Sequence, residues 1–296
     1  MDDMALWHHF STETASTIYP SWKQEFPRLA LTCDYLMHGV LATGALHLAY
    51  LCPQQREKYE DLANQHQDLA LRPFQDATSH MTADNCNHVF GFSILVMVFN
   101  YASFRSPDDL LPFSGCVPYG GLSNWISCLR GCSFIYQQAK VHIENGPFGF
   151  LISHQHLYAL DNARQNEEGL PHDDDKSLEY LTKHLLNSDK IKSSTTVEDV
   201  DAYTDAINIL RKLLAGSQVG DLGYRKMMSS AWPTLVSETY LRLLSQQQPL
   251  ALIIMAHYCL LVKKCEDCWY IAARGFEMFE AIRQSRGLDV RSKKWP

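Results

Sequence analysis

The polar side chains that could carry acid–base chemistry stand in or beside strongly apolar stretches. His257 and Tyr258 are the polar members of the apolar run from Leu250 to Val262, and Asp34 directly precedes another apolar, helix-like run. A carboxyl, imidazole or phenol group that is removed from water has a shifted pKa, which suits it to proton transfer near neutral pH. His257, Tyr258 and Asp34 are therefore the candidate catalytic residues.

Aromatic rings and one arginine supply candidates for ligand contacts. Trp125 and Arg130 fall within one predicted helix, and Trp269 follows the apolar run that contains His257. A lipophilic ligand needs an apolar surface with one or two hydrogen bonds, and aromatic rings can also stabilise a cation. We take Trp125, Arg130, His257 and Trp269 as the candidate ligand-binding residues.

Each of these residues also has a structural interpretation. The tryptophans suit a packed core, Arg130 suits an ion pair, and His257 and Tyr258 suit structural hydrogen bonds. Asp34 stands where an N-cap residue belongs. His38 and His47, nine residues apart and hence on opposite faces of one helix, are assigned to packing.

Motifs for nucleotide, metal or nucleophilic chemistry are missing from the sequence. It contains no Gly-x-Ser-x-Gly, His-Glu-x-x-His or P-loop lysine pattern. Cys265 and Cys268 have the spacing of half a zinc site, but no second pair at a matching spacing completes it. The nine cysteines are interpreted as reduced, mostly buried thiols, and we expect no metal and no cofactor.

Composition narrows the classes of partner. The 296-residue chain has a formal net charge of −7 and no basic stripe of the kind that DNA-binding domains carry. The apolar run Leu250 to Val262 is shorter than the roughly 20 residues of a membrane span. The first residues, Met-Asp-Asp, are unlike a signal peptide. We therefore expect an intracellular protein of the cytoplasm or nucleus without a membrane span.

Helical periodicity dominates the chain, which predicts one all-α domain of roughly ten helices over residues 1–296. Strand and hairpin signals are weak, and we expect the polar segment 161–196 to be mobile. The main predicted helices are Tyr35 to Leu51, Gln54 to Leu71 (ending before Pro73), Asn87 to Ala102, Leu122 to Glu144, Val197 to Ala215, Trp232 to Leu244, Leu250 to Lys264 and Trp269 to Arg286.

Three stretches carry a family resemblance. The first is LWHHF at 6–10 with Trp22, Phe26-Pro27 and LMHGVLATGALHLA at 36–49; the second is Trp125 with Leu129-Arg130-Gly131; the third is Trp232-Pro233, PLALIIMAHY at 249–258, Cys268-Trp269-Tyr270 and Trp295-Pro296. In this order they resemble the regulatory domain of the fungal zinc binuclear cluster transcription factors, in the branch of the sterol uptake control regulators.

The resemblance implies a helical domain around a hydrophobic pocket that binds a small molecule, a sterol in the regulators named above. The family reads DNA with a separate module of six cysteines and two zinc ions. The matching motif here begins at Leu6 and the nine cysteines do not form that pattern, so we expect no direct DNA binding.

Two functions remain open from the sequence. The leading hypothesis is a regulator-like domain that binds a hydrophobic small molecule in fungal specialised metabolism, as a homodimer or with a regulator partner. The alternative is a biosynthetic enzyme of the same ancestry. That enzyme would be a metal-free acid/base cyclase or isomerase acting on a terpenoid, prenylated or polyketide-like intermediate. A purely structural interaction protein is a third interpretation.

Overall fold

The computed structural model describes residues 2–20, 22–103, 124–149, 172–185, 196–218 and 222–285. These residues form helices and turns with no β-strand among them, so the predicted all-α class is confirmed. The loop predicted from Ser103 to Gly121, Cys116 and the C-terminal Trp295-Pro296 lie outside the described residues, apart from Ser103 itself. No helix of the described part combines the length and apolarity that a membrane crossing requires.

The chain divides into two compact units. Unit 1 comprises 1–103, 127–157 and 268–271, and unit 2 comprises 104–126, 158–267 and 272–296. This division does not test the expectation of a single domain, which stays a prediction. The same holds for the mobility of segment 161–196, in which the described part is a helix over His172–Tyr180 followed by a π-helical turn over Leu181–Leu185.

Unit 1 contains the N-terminal helices. They are α1 (Asp2–His9), a π-helical turn (Phe10–Thr14), α2 (Ala15–Ile18), α3 (Trp22–Ala30), α4 (Asp34–Leu51), a 3₁₀ turn (Pro53–Gln55), α5 (Arg56–Ser79), α6 (Cys86–Ala102) and, from residue 127 onward, α7 (Asn124–Glu144).

Helix α4 lies at the centre of unit 1 and contacts α1, α3, α5 and α6. The small residues of α4 allow these neighbouring helices to approach it closely. A Cβ atom on Gly44 would lie 2.9 Å from the Leu6 carbonyl oxygen, and one on Gly39 would lie 2.7 Å from the Phe92 ring. The sequence predicted this helix to within one residue, because a run that is apolar on nearly all sides and rich in small residues has to be buried on nearly all sides.

An aromatic cluster fills the rest of this core. The Trp22 and Phe26 rings lie 4.7 Å apart, and Phe148 meets both of them edge-on at 5.9 and 5.5 Å. Each of the three side chains is no more than 1% exposed. Burying one such ring contributes on the order of 1.5–3 kcal/mol, so this cluster is a main source of the stability of unit 1.

Unit 2 contains the helices of the second half of the chain. They are α8 (His172–Tyr180), α9 (Val197–Gly216), α10 (Leu222–Leu235), α11 (Glu238–Ser245), α12 (Pro249–Lys263) and α13 (Arg274–Ser285).

Caps define several of these helices. The Thr196 side chain accepts the Asp199 amide at the start of α9, and the Ser237 side chain accepts the Tyr240 amide at the start of α11. Pro249 opens α12 as predicted, since a missing N–H costs nothing in the first turn.

Helix α5 corrects one prediction. It runs from Arg56 to Ser79 with Pro73 inside, whereas the sequence rule ended the helix before this proline. The Phe74 ring explains the continuation, because it packs on Phe92 at 4.7 Å and on Tyr35 at 6.1 Å. The burial of this ring compensates for the backbone hydrogen bond that the proline removes.

Two boundaries in unit 2 were also wrong. Trp232-Pro233 was predicted to begin a helix reaching Leu244, but both residues lie near the end of α10, and a new helix starts after Ser237. The last helix begins at Arg274 rather than Trp269. Ala273 has a positive φ of 63°, which a continuous helix excludes.

The close approach at Gly44 generates a stability prediction. We expect Gly44→Ala to destabilise the protein by about 1–3 kcal/mol, because the new methyl group would press on the rigid Leu6 carbonyl. Gly131→Ala in α7 is the matched control: its Cβ meets nothing within 4 Å, so the gain in helix propensity should stabilise by about 0.5–1 kcal/mol. Denaturant unfolding measures both, and equal effects of the same sign would contradict the packing argument.

Candidate functional site

Tyr258 on α12 lies at the centre of unit 2 and is fully buried. Its hydroxyl donates to the Ser229 carbonyl oxygen at 2.8 Å. Its ring stacks on Trp232 at 4.7 Å and lies parallel to Trp125 at 6.2 Å. The structure thus brings together two predicted site residues, Trp125 and Tyr258, in one aromatic stack.

His257, the neighbour of Tyr258, is half-buried and bonds within its own helix. Its Nδ1 lies 2.8 Å from the Ile253 carbonyl oxygen, so this nitrogen carries the proton and donates it. These hydrogen bonds account for the Tyr258 hydroxyl and for Nδ1 of His257. Their assignment as catalytic or ligand-binding residues stays a prediction.

Two more buried polar groups of unit 2 bond to backbone carbonyls. Trp232 Nε1 donates to Ala206 O at 3.0 Å, and the Tyr240 hydroxyl donates to Ala251 O at 2.9 Å. Together with Tyr258 they link α9, α10, α11 and α12 through side-chain-to-backbone bonds. A buried donor without an acceptor would cost about 1–3 kcal/mol, so these bonds specify how the four helices pack.

The remaining predicted site residues, Asp34, Arg130 and Trp269, belong to unit 1. Asp34 is the exposed first residue of α4, whereas Cys33 holds the N-cap position without a side-chain cap bond. The N-cap interpretation of Asp34 was therefore wrong by one residue, because Cys33 and not Asp34 has the extended backbone of a cap. In the first turn the Asp34 carboxylate still interacts favourably with the helix dipole.

Arg130 is half-buried on α7.

Trp269 has a defined environment in unit 1. Its indole Nε1 donates to Thr17 Oγ1 at 2.9 Å, and its ring stacks on His47 at 4.8 Å with an interplanar angle of 28°. The Tyr50 ring lies 6.1 Å away. Thr17 and Trp269 are 252 residues apart in the chain, and nothing local in the sequence pairs them.

His47 is the buried centre of this cluster and is 6% exposed. Its Nδ1 lies 2.9 Å from Thr14 Oγ1 and 3.2 Å from His9 Nε2. One nitrogen that faces a hydroxyl and a second imidazole is best satisfied as the acceptor, so we infer that His47 carries its proton on Nε2. Burial, with a smaller contribution from His9, lowers the pKa of His47 to about 4, so the ring is neutral at pH 7.

The π-helical turn explains how His9 and Thr14 reach the same ring. Residues five apart diverge by about 140° on an α-helix but come close to alignment in a π-helix, whose bonds join residues five apart. Such a bond joins the Ala15 amide to the Phe10 carbonyl. Nothing in the sequence analysis predicted this turn, and His47 itself was assigned only to packing.

A second histidine pair lies on the opposite face of α4, as the nine-residue spacing predicted. His38 Nδ1 and His66 Nδ1 are 3.0 Å apart, and His66 Nε2 lies 3.6 Å from the Asp3 carboxylate. Burial lowers the pKa of His66, and the Asp3 carboxylate opposes that shift. Both pairs therefore join α4 to neighbouring helices through contacts between two imidazole rings.

The described residues include no group of three or more His, Cys, Asp or Glu side chains arranged to hold a metal ion. Cys265 and Cys268 are buried thiols outside any disulfide, and the Cys265 Sγ lies 3.6 Å from Ser229 Oγ. Burial raises the pKa of Cys259 and of Cys132, in the latter to about 11. These two thiols stay protonated and unreactive near neutral pH.

The lowered pKa of His47 predicts an acid-sensitive fold. A histidine with a pKa near 4 when folded and near 6.5 when unfolded stabilises the fold above about pH 6.5, and this stability is lost as the pH falls toward 4. We expect a loss of up to about 3 kcal/mol over this window in denaturant titrations. His47→Gln should flatten the dependence, whereas exposed His80→Gln should not. An unchanged slope in His47→Gln would refute the assignment.

The buried hydroxyl of Tyr258 predicts a cost on its removal. Tyr258→Phe keeps the ring stack but leaves the Ser229 carbonyl without this donor, so we expect a loss of about 1–3 kcal/mol in thermal or denaturant unfolding. The exposed Tyr50→Phe serves as control and should change stability by less than about 0.5 kcal/mol. Equal effects would show that the hydroxyl is not a structural bond.

Comparison with known proteins supplies the family. The family described as "Fungal specific transcription factor domain" matches residues 5–197. Among similar proteins, a Zn(2)-C6 fungal-type transcription factor of Gibberella zeae is 22% identical over 92% of this chain and 55% of its own length. The Zn(2)-C6 fungal-type transcription factor afumD of Aspergillus fumigatus is 24% identical over 86% of this chain and 66% of its own length.

A third relative is the sterol uptake control protein 2 of Saccharomyces cerevisiae, 24% identical over 88% of this chain and 27% of its own length. The chain thus spans between about half and two thirds of the first two relatives and about a quarter of the third. The match over residues 5–197 confirms the resemblance that the sequence motifs carried. This chain belongs to the fungal-specific transcription factor domain family.

Proposed function

We propose that this chain is a regulatory module that binds a hydrophobic small molecule, of the sterol or terpenoid class, and acts in the regulation of fungal specialised metabolism. The observation that carries the proposal is the family match over residues 5–197, joined by transcription factor relatives that align with most of the chain. One of these relatives is named for the control of sterol uptake. That name supports a lipophilic ligand here.

The candidate ligand contacts are Trp125, Arg130, His257 and Trp269. Each is proposed as a contact within its own unit: Trp125 and His257 in unit 2, and Arg130 and Trp269 in unit 1. An aromatic ring offers a flat apolar surface to a fused-ring ligand, and an arginine can donate to a ligand hydroxyl. These roles are part of the proposal and rest on residue chemistry.

An acid/base cyclase or isomerase was the alternative, and no observation favours it. The Tyr258 hydroxyl and the His257 Nδ1 are both bonded to backbone carbonyls, and the exposed Asp34 carboxylate is not the desolvated acid that the hypothesis requires. A general acid or base has to reach substrate within hydrogen-bond distance. A binding module does not require a general acid or base that reaches the substrate. It therefore suits the bonded Tyr258 hydroxyl and His257 Nδ1 better than an enzyme does.

The proposed module acts through macromolecular partners in the nucleus or cytoplasm. The net charge of −7 disfavours contact with a phosphate backbone, whose neutralisation supplies most of the affinity of non-specific DNA binding. We therefore propose that the chain acts as a homodimer or with a partner regulator, and that DNA is not contacted by these helices.

Sterol binding is the test of the proposal. Dehydroergosterol, a fluorescent sterol, should bind saturably with a Kd below about 10 μM, a free energy near −7 kcal/mol, and should accept energy from tryptophan. Ergosterol should displace it, whereas oleate, an equally insoluble acyl chain, should not. Non-saturable uptake, or equal displacement by oleate, would contradict a shaped sterol site.

The variant Arg130→Met gives a second arm with a matched control. If Arg130 donates to the sterol hydroxyl, its loss should weaken binding at least about fivefold, in line with one charge-assisted hydrogen bond. Lys140→Met removes a cation from a more exposed position of the same helix and should leave the Kd unchanged. Equal affinity of both variants would remove Arg130 from the proposed contacts.

A further inference from the structure

His47 in unit 1 uses only one of its two ring nitrogens within the protein. Its Nδ1 lies 2.9 Å from Thr14 Oγ1 and 3.2 Å from His9 Nε2. Its Nε2 has no hydrogen-bond partner among the described residues, although the side chain is only 6% exposed. Polar atoms of buried side chains are nearly always paired, so an unpaired one needs an explanation. A bound molecule is one such explanation.

Thr14 determines which nitrogen of His47 carries the proton. The Thr14 side chain is fully buried, and His47 Nδ1 is the one hydrogen-bond contact described for its hydroxyl. A buried hydroxyl proton needs an acceptor, so Thr14 donates to Nδ1. A neutral imidazole that accepts at Nδ1 carries its proton on Nε2. The Nε2–H group is therefore a donor for which the described residues supply no acceptor.

The rings around His47 do not satisfy this donor. The Trp269 ring lies over the imidazole at 4.8 Å with 28° between the two planes. The Nε2–H bond lies in the imidazole plane, so it runs nearly parallel to the indole and does not point at its face. The His9 ring meets His47 on the side of Nδ1. An acceptor for Nε2–H therefore has to come from solvent or from a bound molecule.

The end of α4 surrounds this donor with accessible apolar side chains. Tyr50 and Leu51 follow His47 at i+3 and i+4, which places all three on one side of the last turn. Tyr50 is 54% and Leu51 52% exposed, and the Tyr50 ring lies 6.1 Å from the half-buried Trp269 ring. An apolar surface with one well-placed polar group is typical of a small-molecule site.

The size of this surface favours a small occupant. A stable protein interface takes about 20–30 residues from each side, whereas the exposed apolar side chains here are Tyr50, Leu51 and part of Trp269. Aromatic rings offer flat faces, which suit a flat apolar body. A neutral N–H donor suits an uncharged oxygen acceptor, such as a ketone or a hydroxyl group.

We propose that the end of α4 binds a flat, apolar molecule with one uncharged oxygen, which accepts the Nε2–H of His47 while the molecule lies against Trp269, Tyr50 and Leu51. This inference rests on the proposed function, because it names the group that would hold a ligand of that class. A molecule without the oxygen would leave the donor unpaired and would bind less tightly.

Two substitutions of His47 separate the donor from the ring. Glutamine places an amide near the position of Nε2, whereas the shorter asparagine places one near Nδ1. Both remove the ring that stacks on Trp269, so the comparison isolates the donor. In titrations of the full chain with dehydroergosterol, His47→Gln should bind at least about fivefold more tightly than His47→Asn, in line with one hydrogen bond.

The outcomes distinguish this site from the proposed function. Equal affinity of His47→Gln and His47→Asn, together with saturable binding to the unsubstituted protein, would overturn the site and leave the proposed function standing. Absence of saturable binding to the unsubstituted protein would overturn both.

Two exposed leucines of unit 1 test the apolar wall. Leu51→Ala should weaken dehydroergosterol binding at least about threefold, because the shortened side chain loses contact with the ligand. Leu69→Ala on α5 is the matched control, since Leu69 is 58% exposed and lies outside the proposed site. Neither substitution touches the core, so both variants should fold. Equal affinities of the two variants would overturn the site.

Varying the ligand tests the site without any substitution, which covers the case that both His47 variants fold poorly. Ergosterol and its 3-ketone should displace dehydroergosterol from the unsubstituted protein with affinities within about threefold of each other. The 3-deoxy hydrocarbon should be at least about tenfold weaker, because it leaves Nε2–H unpaired. Equal displacement by the 3-deoxy compound would overturn the site. So would a preference for the 3-oxygen that Arg130→Met abolishes and His47→Asn retains.

Discussion

The close approach of backbones at α4 is the constraint on which the rest of unit 1 depends. Gly44 lets the Leu6 carbonyl come so near that a Cβ would lie at 2.9 Å, and Gly39 admits the Phe92 ring in the same way. With α1 pressed on α4, His9 reaches His47, and the π-helical turn brings Thr14 to the same nitrogen. His47 then offers a fixed, neutral ring to Trp269. A bulkier residue at Gly44 would move the whole set of contacts.

The core of unit 2 depends on a different constraint, which is the hydrogen bonding of its buried polar atoms. The buried side chains of Trp232, Tyr240 and Tyr258 each carry a polar atom that needs a partner. These partners are backbone carbonyls: Ala206 for Trp232, Ala251 for Tyr240 and Ser229 for Tyr258. Each bond fixes one helix against another and leaves the polar atom with little capacity for chemistry. These hydrogen bonds therefore serve the packing of a domain that belongs to the fungal-specific transcription factor domain family.

Local pattern predicted the long helices well. Helices α4, α6 and α12 are apolar on nearly all sides, and the sequence placed each of them to within one residue at either end. The local pattern predicted the helix bounds wrongly at two prolines. Pro73 lies inside α5 and Pro233 lies inside α10, because the packing of Phe74 and the burial of Trp232 outweigh the lost hydrogen bonds. The proline rule is local, whereas the packing that overrides it is not.

The sequence by itself determined that this chain is helical, acidic and of the regulator family, since composition, periodicity and motifs are properties of neighbouring residues. It also named Trp269 and Tyr258 as residues of interest. Only the tertiary structure decided what they contact. The Trp269 indole bonds to a threonine 252 positions away, and the Tyr258 hydroxyl bonds to a carbonyl 29 positions away. Such pairings follow from how helices pack, and packing is fixed by the shape of whole faces rather than by the residues next to either partner.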